Sequence, residues 1–347
     1  MGAVDQSNNK VTVLGAGSWG TALAIHCARR GFSTSLWTRR ADHRAAMAAE
    51  GRNGRYLADH PFPETLTPTD DLAAALAGDP ALVICAVPSH GMRAMMKRVA
   101  ETFEAAPAGR APLYLIAAKG IEVDSLDNMH EVLDQELPET HRAGITALGG
   151  PSFAAEVAGG RPTMVVVASG NAEAGTAVQT MLSGSNLRAY VTDDVLGVEM
   201  GGAFKNVIAL AAGIGDGAGL GQNARAGLIT RGLAEITRLS VALGAHPATL
   251  SGLAGMGDLV LTCTGGLSRN RRVGVALGEG KKLPQIIEEL GMVAEGVKNT
   301  LSAHKLAKRE GVEMPLVETM HAILYEDLSV TAAVDALMGR RLKAERD

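Results

Sequence analysis

Lys205 stands in Gly197-Val-Glu-Met-Gly-Gly-Ala-Phe-Lys205-Asn206-Val-Ile-Ala-Leu-Ala-Ala-Gly213, a stretch otherwise dominated by small and apolar residues. Such a stretch packs as a buried helix, and burial lowers the pKa of an ammonium by disfavouring its charged form. A lysine tuned toward neutrality exchanges protons near pH 7; the alternative is a lysine that carries its charge out along the helix surface. Three further segments hold polar groups with no obvious structural use. Lys119, in Ala118-Lys119-Gly120, ends a buried apolar strand, the edge at which ligands bind in open α/β sheets. Gly149-Gly150-Pro151-Ser152-Phe153 is a glycine turn opening a helix and suits exposed backbone amides. Ser268-Arg269-Asn270 follows Thr264-Gly-Gly and begins another helix, so its donors and positive helix end suit an anion such as phosphate. Asp258 is the first acid before an apolar helix, readable either as an N-cap or as a charge partner.

A second chemistry is carried by Gly15-Ala-Gly17-Ser18-Trp19-Gly20, between an apolar strand and a helix. In that context Gly15 makes the turn, Gly17 admits a pyrophosphate and Gly20 lets the helix pack on the strand. Amides at the helix start then hold the phosphates of a dinucleotide. The end of the second strand usually places an acid on the ribose 2′-hydroxyl when NAD is bound. Here it reads Thr38-Arg39-Arg40, with a carboxylate only at Asp42. Guanidinium groups suit a 2′-phosphate, which favours NADP(H), although arginines also stack on adenine and leave NAD(H) open.

These residues need a scaffold, and the segment pattern supplies one. Strand-like segments at 11–14, 33–38, 81–87, 112–118, 145–148 and 164–168, with 187–191 as an edge, alternate with helical segments. The continuous apolar runs suit a parallel sheet covered on both faces. This predicts a Rossmann-type doubly wound α/β domain over residues 1–193. After Asp193 the strand signals stop. Segments 194–214, 224–243, 248–264, 269–279, 283–290, 295–310, 315–325 and 329–337 read as helices, an all-α C-terminal domain over residues 194–347.

Bulk properties narrow the field. At 347 residues, 46% hydrophobic and 20% charged, the chain has a globular composition with room for two domains. A formal net charge of -4 argues against a general nucleic-acid partner. The three cysteines, Cys27, Cys85 and Cys263, are scattered, with no metal-ligand spacing, so a reducing compartment and no metal are expected. The N-terminus lacks a signal-peptide core, and apolar runs are interrupted by glycine and charge, so a cytoplasmic chain without membrane spans is expected.

Taken in order, Gly15-Ala-Gly-Ser-Trp-Gly20, Ala118-Lys119-Gly120, Gly149-Gly-Pro-Ser-Phe-Ala-Ala-Glu-Val157, Phe204-Lys205-Asn206-Val-Ile-Ala, Gly255-Met-Gly-Asp258-Leu and Ser268-Arg269-Asn270 make the sequence closely similar to the bacterial NAD(P)-dependent glycerol-3-phosphate dehydrogenase family. The resemblance implies interconversion of sn-glycerol 3-phosphate and dihydroxyacetone phosphate, supplying glycerophospholipid synthesis, by a homodimer. It implies that Lys205 is the proton acceptor and donor, that Lys119 contacts substrate and cofactor, and that Asp258 orients Lys205 or a substrate hydroxyl. Gly150 and Ser152 match substrate-contacting positions, and Ser268, Arg269 and Asn270 match the phosphate site. Ser18, Trp19, Arg39, Ala154, Arg269, Val293 and Glu295 match cofactor positions; Arg40 is added on the charge argument alone. Ser152 stands where many relatives have threonine, keeping the hydroxyl. The competing readings are a related dehydrogenase acting on a hydroxy acid or sugar acid, and an NADP-binding regulator that has lost its chemistry.

Overall fold

The computed structural model describes residues 9–106, 109–290, 295–342 and 344–345. Eight strands form one sheet: β1 (Lys10–Leu14), β2 (Ser33–Trp37), β3 (Leu66–Thr69), β4 (Leu82–Cys85), β5 (Leu113–Ile116), β6 (Ile145–Gly149), β7 (Thr163–Ala168) and β8 (Leu187–Thr192), in the order β3-β2-β1-β4-β5-β6-β7-β8. The first six run parallel; β7 pairs antiparallel with β6, and β8 runs parallel to β7. The chain leaves β1 toward β2 on one side and returns to β4 on the other. A crevice therefore opens at the carboxyl ends of β1 and β4, where such sheets take ligands.

β1, β4 and β5 are buried almost throughout, as their unbroken apolar runs require, and β8 is an edge. β3 has no counterpart in the sequence reading, because Leu66-Thr-Pro68-Thr69 carries a proline that argues against a strand. The structure places it on the opposite edge, where a missing N–H costs no ladder hydrogen bond.

From Val195 onward the described chain is helical. Residues 197–215 of the helix Val195–Gly217 are all buried, packed round by the helices Arg269–Gly278, Gly221–Ala242, Asp258–Thr264 and Glu295–Glu310. Burying Phe204, Val207, Ile208 and Leu210 contributes roughly 1.5–3 kcal/mol per side chain, which offsets the cost of placing Lys205 among them. This helix corrects the expectation that every apolar run stops short of spanning length. Its 23 residues are long and apolar enough by length and composition, but residues 197–215 are buried inside the fold.

The single helix expected over 248–264 is broken. Pro247–Ser251 stops at Gly252, a π-helical turn spans Leu253–Gly257, and a new helix begins at Asp258. A Cβ on Gly255 would lie 2.0 Å from the Leu250 carbonyl oxygen, so only glycine lets the chain double back here.

Candidate active site

At the proposed coenzyme end, the three glycines differ in what surrounds them. Gly15 has φ +113°, and a Cβ there would lie 2.7 Å from the Ala86 carbonyl oxygen, where β1 and β4 end together. A Cβ on Gly20 would lie 1.9 Å from the Gly15 oxygen, so the helix Ser18–Arg29 backs directly onto the turn. A Cβ on Gly17 would meet nothing within 4 Å, which leaves room in front of the helix N-terminus for a bulky anion. The Trp19 indole Nε1 is buried without a hydrogen-bond partner among the described residues. Glycine cradle, open approach and unspent donor together fit a dinucleotide.

Arg39 is exposed beyond β2. His90, in the turn after β4, is held below its ordinary pKa by partial desolvation and then by the charges of Lys298 and Arg39, so three basic groups share this edge. Arg40 has a different occupation. It donates to both carboxylate oxygens of Asp42, which that bond holds down to about 2. The pairing separates the two arginines that the sequence treats alike.

The candidate catalytic end is built on one face of the central helix, Val195–Gly217. Gly201 and Lys205 lie one turn apart and share a face. A Cβ on Gly201 would come within 2.6 Å of the Ala254 carbonyl oxygen, so the π turn rests against bare backbone and delivers Asp258 to Lys205. Gly202 faces Lys119, whose Cγ would lie 3.5 Å from a Cβ there, an ordinary contact distance. Lys205 and Asp258 are 6% and 1% exposed, which excludes snorkelling for the lysine. Asp258 makes no N-cap bond, although it opens its helix. Its Oδ1 accepts from Lys205 Nζ and its Oδ2 from Lys119 Nζ at 2.7 Å, so one carboxylate is shared by two ammonium groups.

The electrostatics follow from this sharing. Burial pulls the Lys205 pKa down to about 7, opposed by the Asp258 charge and assisted by the Lys119 charge. Burial works against ionisation of Asp258 too, but the charges and hydrogen bonds of Lys119 and Lys205 outweigh it and hold the carboxyl low. The Lys119 main chain is fixed as well. Asn299 Nδ2 donates to the Lys119 carbonyl at 3.4 Å and to that of Ala203 at 3.0 Å, tying the end of β5 to the central helix.

Gly150 lies directly against this trio. Gly150 has φ +107°, and its carbonyl accepts from Lys119 Nζ at 3.4 Å and from Ser152 Oγ at 3.0 Å. Ala154 begins the short helix Ala154–Ala158. Ser268 caps the helix Arg269–Gly278 by accepting from Arg271 N. Asn270 bridges helices, donating to Asn206 Oδ1 at 2.7 Å and accepting from Gly296 N at 3.0 Å. Glu295 opens the helix Glu295–Glu310; burial raises its pKa against the fields of Arg269, Lys119 and Lys205, which places it among the cations. Val293 lies outside the described residues. Among the described residues no group of three or more His, Cys, Asp or Glu side chains could hold a metal ion.

Residues 10–175 match the family model described as NAD-dependent glycerol-3-phosphate dehydrogenase N-terminus, and residues 194–335 match its C-terminus counterpart. A protein of Geobacter sulfurreducens named glycerol-3-phosphate dehydrogenase (NAD(P)+) is 48% identical over 340 residues, covering 98% of this chain and 99% of that protein. This chain belongs to the NAD(P)-dependent glycerol-3-phosphate dehydrogenase family. A second relative of that name, from Anaeromyxobacter dehalogenans, is 50% identical over 336 residues, covering 97% of this chain and 99% of its own. The crystal structure of glycerol-3-phosphate dehydrogenase from Coxiella burnetii superposes with a TM-score of 0.90 at 42% identity, over 96% of this chain and 100% of that one.

Two polar residues of this family member went unassigned in the sequence. Asn206 was visible beside Lys205 without a role, and its bond to Asn270 explains it. Asn299 sits in the second turn of Glu295–Glu310 and is 2% exposed, a burial that only the structure reveals.

Proposed function

We propose that this oxidoreductase interconverts dihydroxyacetone phosphate and sn-glycerol 3-phosphate with NADP(H), Lys205 passing a proton to and from the C2 oxygen. The observation that carries the reading is the buried trio Lys119–Asp258–Lys205, in which burial brings a lysine to about neutral pH against the opposing charge of the carboxylate it shares. The glycine turn with Ser18, Trp19 and Arg39 would hold the coenzyme, which would supply hydride chemistry at C2 in either direction. Protonated Lys205 gives its proton to the ketone oxygen during reduction; neutral Lys205 takes the hydroxyl proton during oxidation. Asp258 holds both ammonium groups in place, and Lys119 adds positive potential where negative charge develops on oxygen. Ser268, Arg269 and Asn270, at the start of the helix Arg269–Gly278, are assigned to the substrate phosphate, favoured there by the positive helix end.

The coenzyme assignment rests on Arg39 and its basic neighbours, since Arg40 is paired with Asp42 at the surface. Arg39→Ala is expected to raise the NADPH Michaelis constant about tenfold, the worth of one charge-assisted hydrogen bond, and that for NADH much less. Arg40→Ala should change either constant little. Initial-rate kinetics with both coenzymes check this, and equal changes for the two would remove Arg39 from 2′-phosphate recognition.

A cytoplasmic homodimer supplying glycerophospholipid synthesis accompanies this reading, supported by the family and by three buried cysteines without a disulfide. The reading as a whole is tested by a side-by-side assay of NADPH and NADH oxidation against dihydroxyacetone phosphate. Turnover with NADPH is expected; activity on a hydroxy acid alone would contradict it.

A further inference from the structure

Behind the glycine turn runs a buried chain of hydrogen bonds that the proposed chemistry does not use. Asn53, 0% exposed, donates from Nδ2 to the Ala16 carbonyl at 2.9 Å and to Thr21 Oγ1 at 2.8 Å. Its Oδ1 meets His43 Nε2 at 3.0 Å, and His43 Nδ1 meets Thr38 Oγ1 at 3.3 Å. His43, Thr38 and Thr21 are buried too. The directions at Asn53 are forced. The Ala16 carbonyl can only accept, so the amide nitrogen of Asn53 must face it, and its oxygen must face His43. That oxygen can only accept, so His43 donates to it from Nε2, and Nδ1 pairs with the Thr38 hydroxyl. The same segment touches the turn again where the Tyr56 carbonyl accepts from Ser18 Oγ at 3.0 Å, and the Tyr56 ring packs edge-on to His43.

This chain has a consequence for the phosphate turn. The described chain contains no cis peptide bond. In the trans Ala16–Gly17 peptide the C=O and N–H point in opposite directions. Holding the Ala16 oxygen inward on Asn53 therefore aims the Gly17 N–H outward, toward the open space in front of the helix. At its other end the chain fixes Thr38, the residue immediately before Arg39.

We propose that Asn53 and His43 are positioning residues for the coenzyme: together they set the direction of the phosphate-turn amide and couple it to the loop that carries Arg39. Coenzyme affinity, and the preference for a 2′-phosphate, then depend on two side chains that lie behind the coenzyme surface. The inference rests on the proposed occupation of the turn by NADP(H).

Fluorescence titration of the full chain with NADPH and with NADH, alongside thermal unfolding, tests it. Asn53→Ala is expected to weaken both coenzymes about tenfold, the worth of one oriented hydrogen bond, while kcat at saturating coenzyme and the Michaelis constant for dihydroxyacetone phosphate stay unchanged. His43→Leu should weaken NADPH more than NADH, and His43→Gln, which keeps a donor for Asn53 Oδ1, should restore most of the loss. A merely structural role would lower the melting temperature and leave the dissociation constants of the folded variants at wild-type values, which overturns the proposal. If Asn53→Ala does not fold, the two His43 variants decide alone, and equal affinities for Leu and Gln overturn it. Wild-type protein that binds neither coenzyme would instead sink the proposed function itself.

Discussion

Lys205→Met is expected to cut kcat in both directions by about 10²–10⁴-fold, the usual worth of a positioned general acid or base. Methionine keeps the length and much of the apolar stem, so the packing around Phe204 and Val207 has no reason to collapse. Asp258 would keep its bond to Lys119 and would not be stranded as an unpaired buried charge. Coenzyme affinity should survive, because the glycine turn belongs to the sheet half and Lys205 to the central helix. Steady-state kinetics with a parallel NADPH titration separate these effects. Wild-type turnover by the variant would take Lys205 out of the proton path.

Asp258→Asn should do more than remove a hydrogen bond. The Asp258 charge is the main influence keeping the Lys205 pKa from falling further, while Lys119 pushes it down. With the charge gone, Lys205 is neutral at pH 7 and no longer offers a proton. Reduction of dihydroxyacetone phosphate should then fall by about 10²–10³-fold, within the range for loss of a general acid. Oxidation of glycerol 3-phosphate, which needs the neutral amine, should fall less. Stability should fall too, by up to about 3–5 kcal/mol, as when one partner of a buried ion pair is removed; loss of a proton from Lys205 softens that cost. Rates in both directions and a thermal melt check the argument. Equal losses in the two directions would mean that Asp258 only orients its neighbours.

The legible parts of this protein were those encoded locally. Gly15 and Gly20 could be given roles because a turn between strand and helix imposes steric demands within six residues, and a Cβ at either would clash with backbone, while Gly17 faces open space. The helical bounds after Val195 were readable because apolar periodicity, proline and glycine mark them along the chain. Lys205 announced itself as a cation in apolar surroundings. What stayed hidden depended on distant partners. The break before Asp258 exists because the π turn rests on Gly201, fifty residues earlier in the chain, a contact that no spacing reveals. Arg39 and Arg40 look interchangeable until Asp42 is seen to hold one of them. Asn53 looks like a loop residue until its amide is found on the carbonyl of Ala16. β3 was missed for the opposite reason, since its local signal, Pro68, points away from a strand that the sheet edge tolerates.

The account turns on Lys205 exchanging its proton with the substrate oxygen, and the pH dependence of kcat/KM in the two directions tests this most directly, because that ratio reports the free enzyme's groups. Oxidation needs the neutral amine, so its kcat/KM should rise as pH increases through about 7. Reduction needs the ammonium, so its kcat/KM should fall over the same interval. Ionisation of the substrate phosphate would bend both profiles in the same sense, and the opposed slopes distinguish the lysine. Mirror-image profiles that both flatten in Lys205→Met are the predicted result. Parallel profiles, or opposed profiles that persist in the variant, would contradict the account.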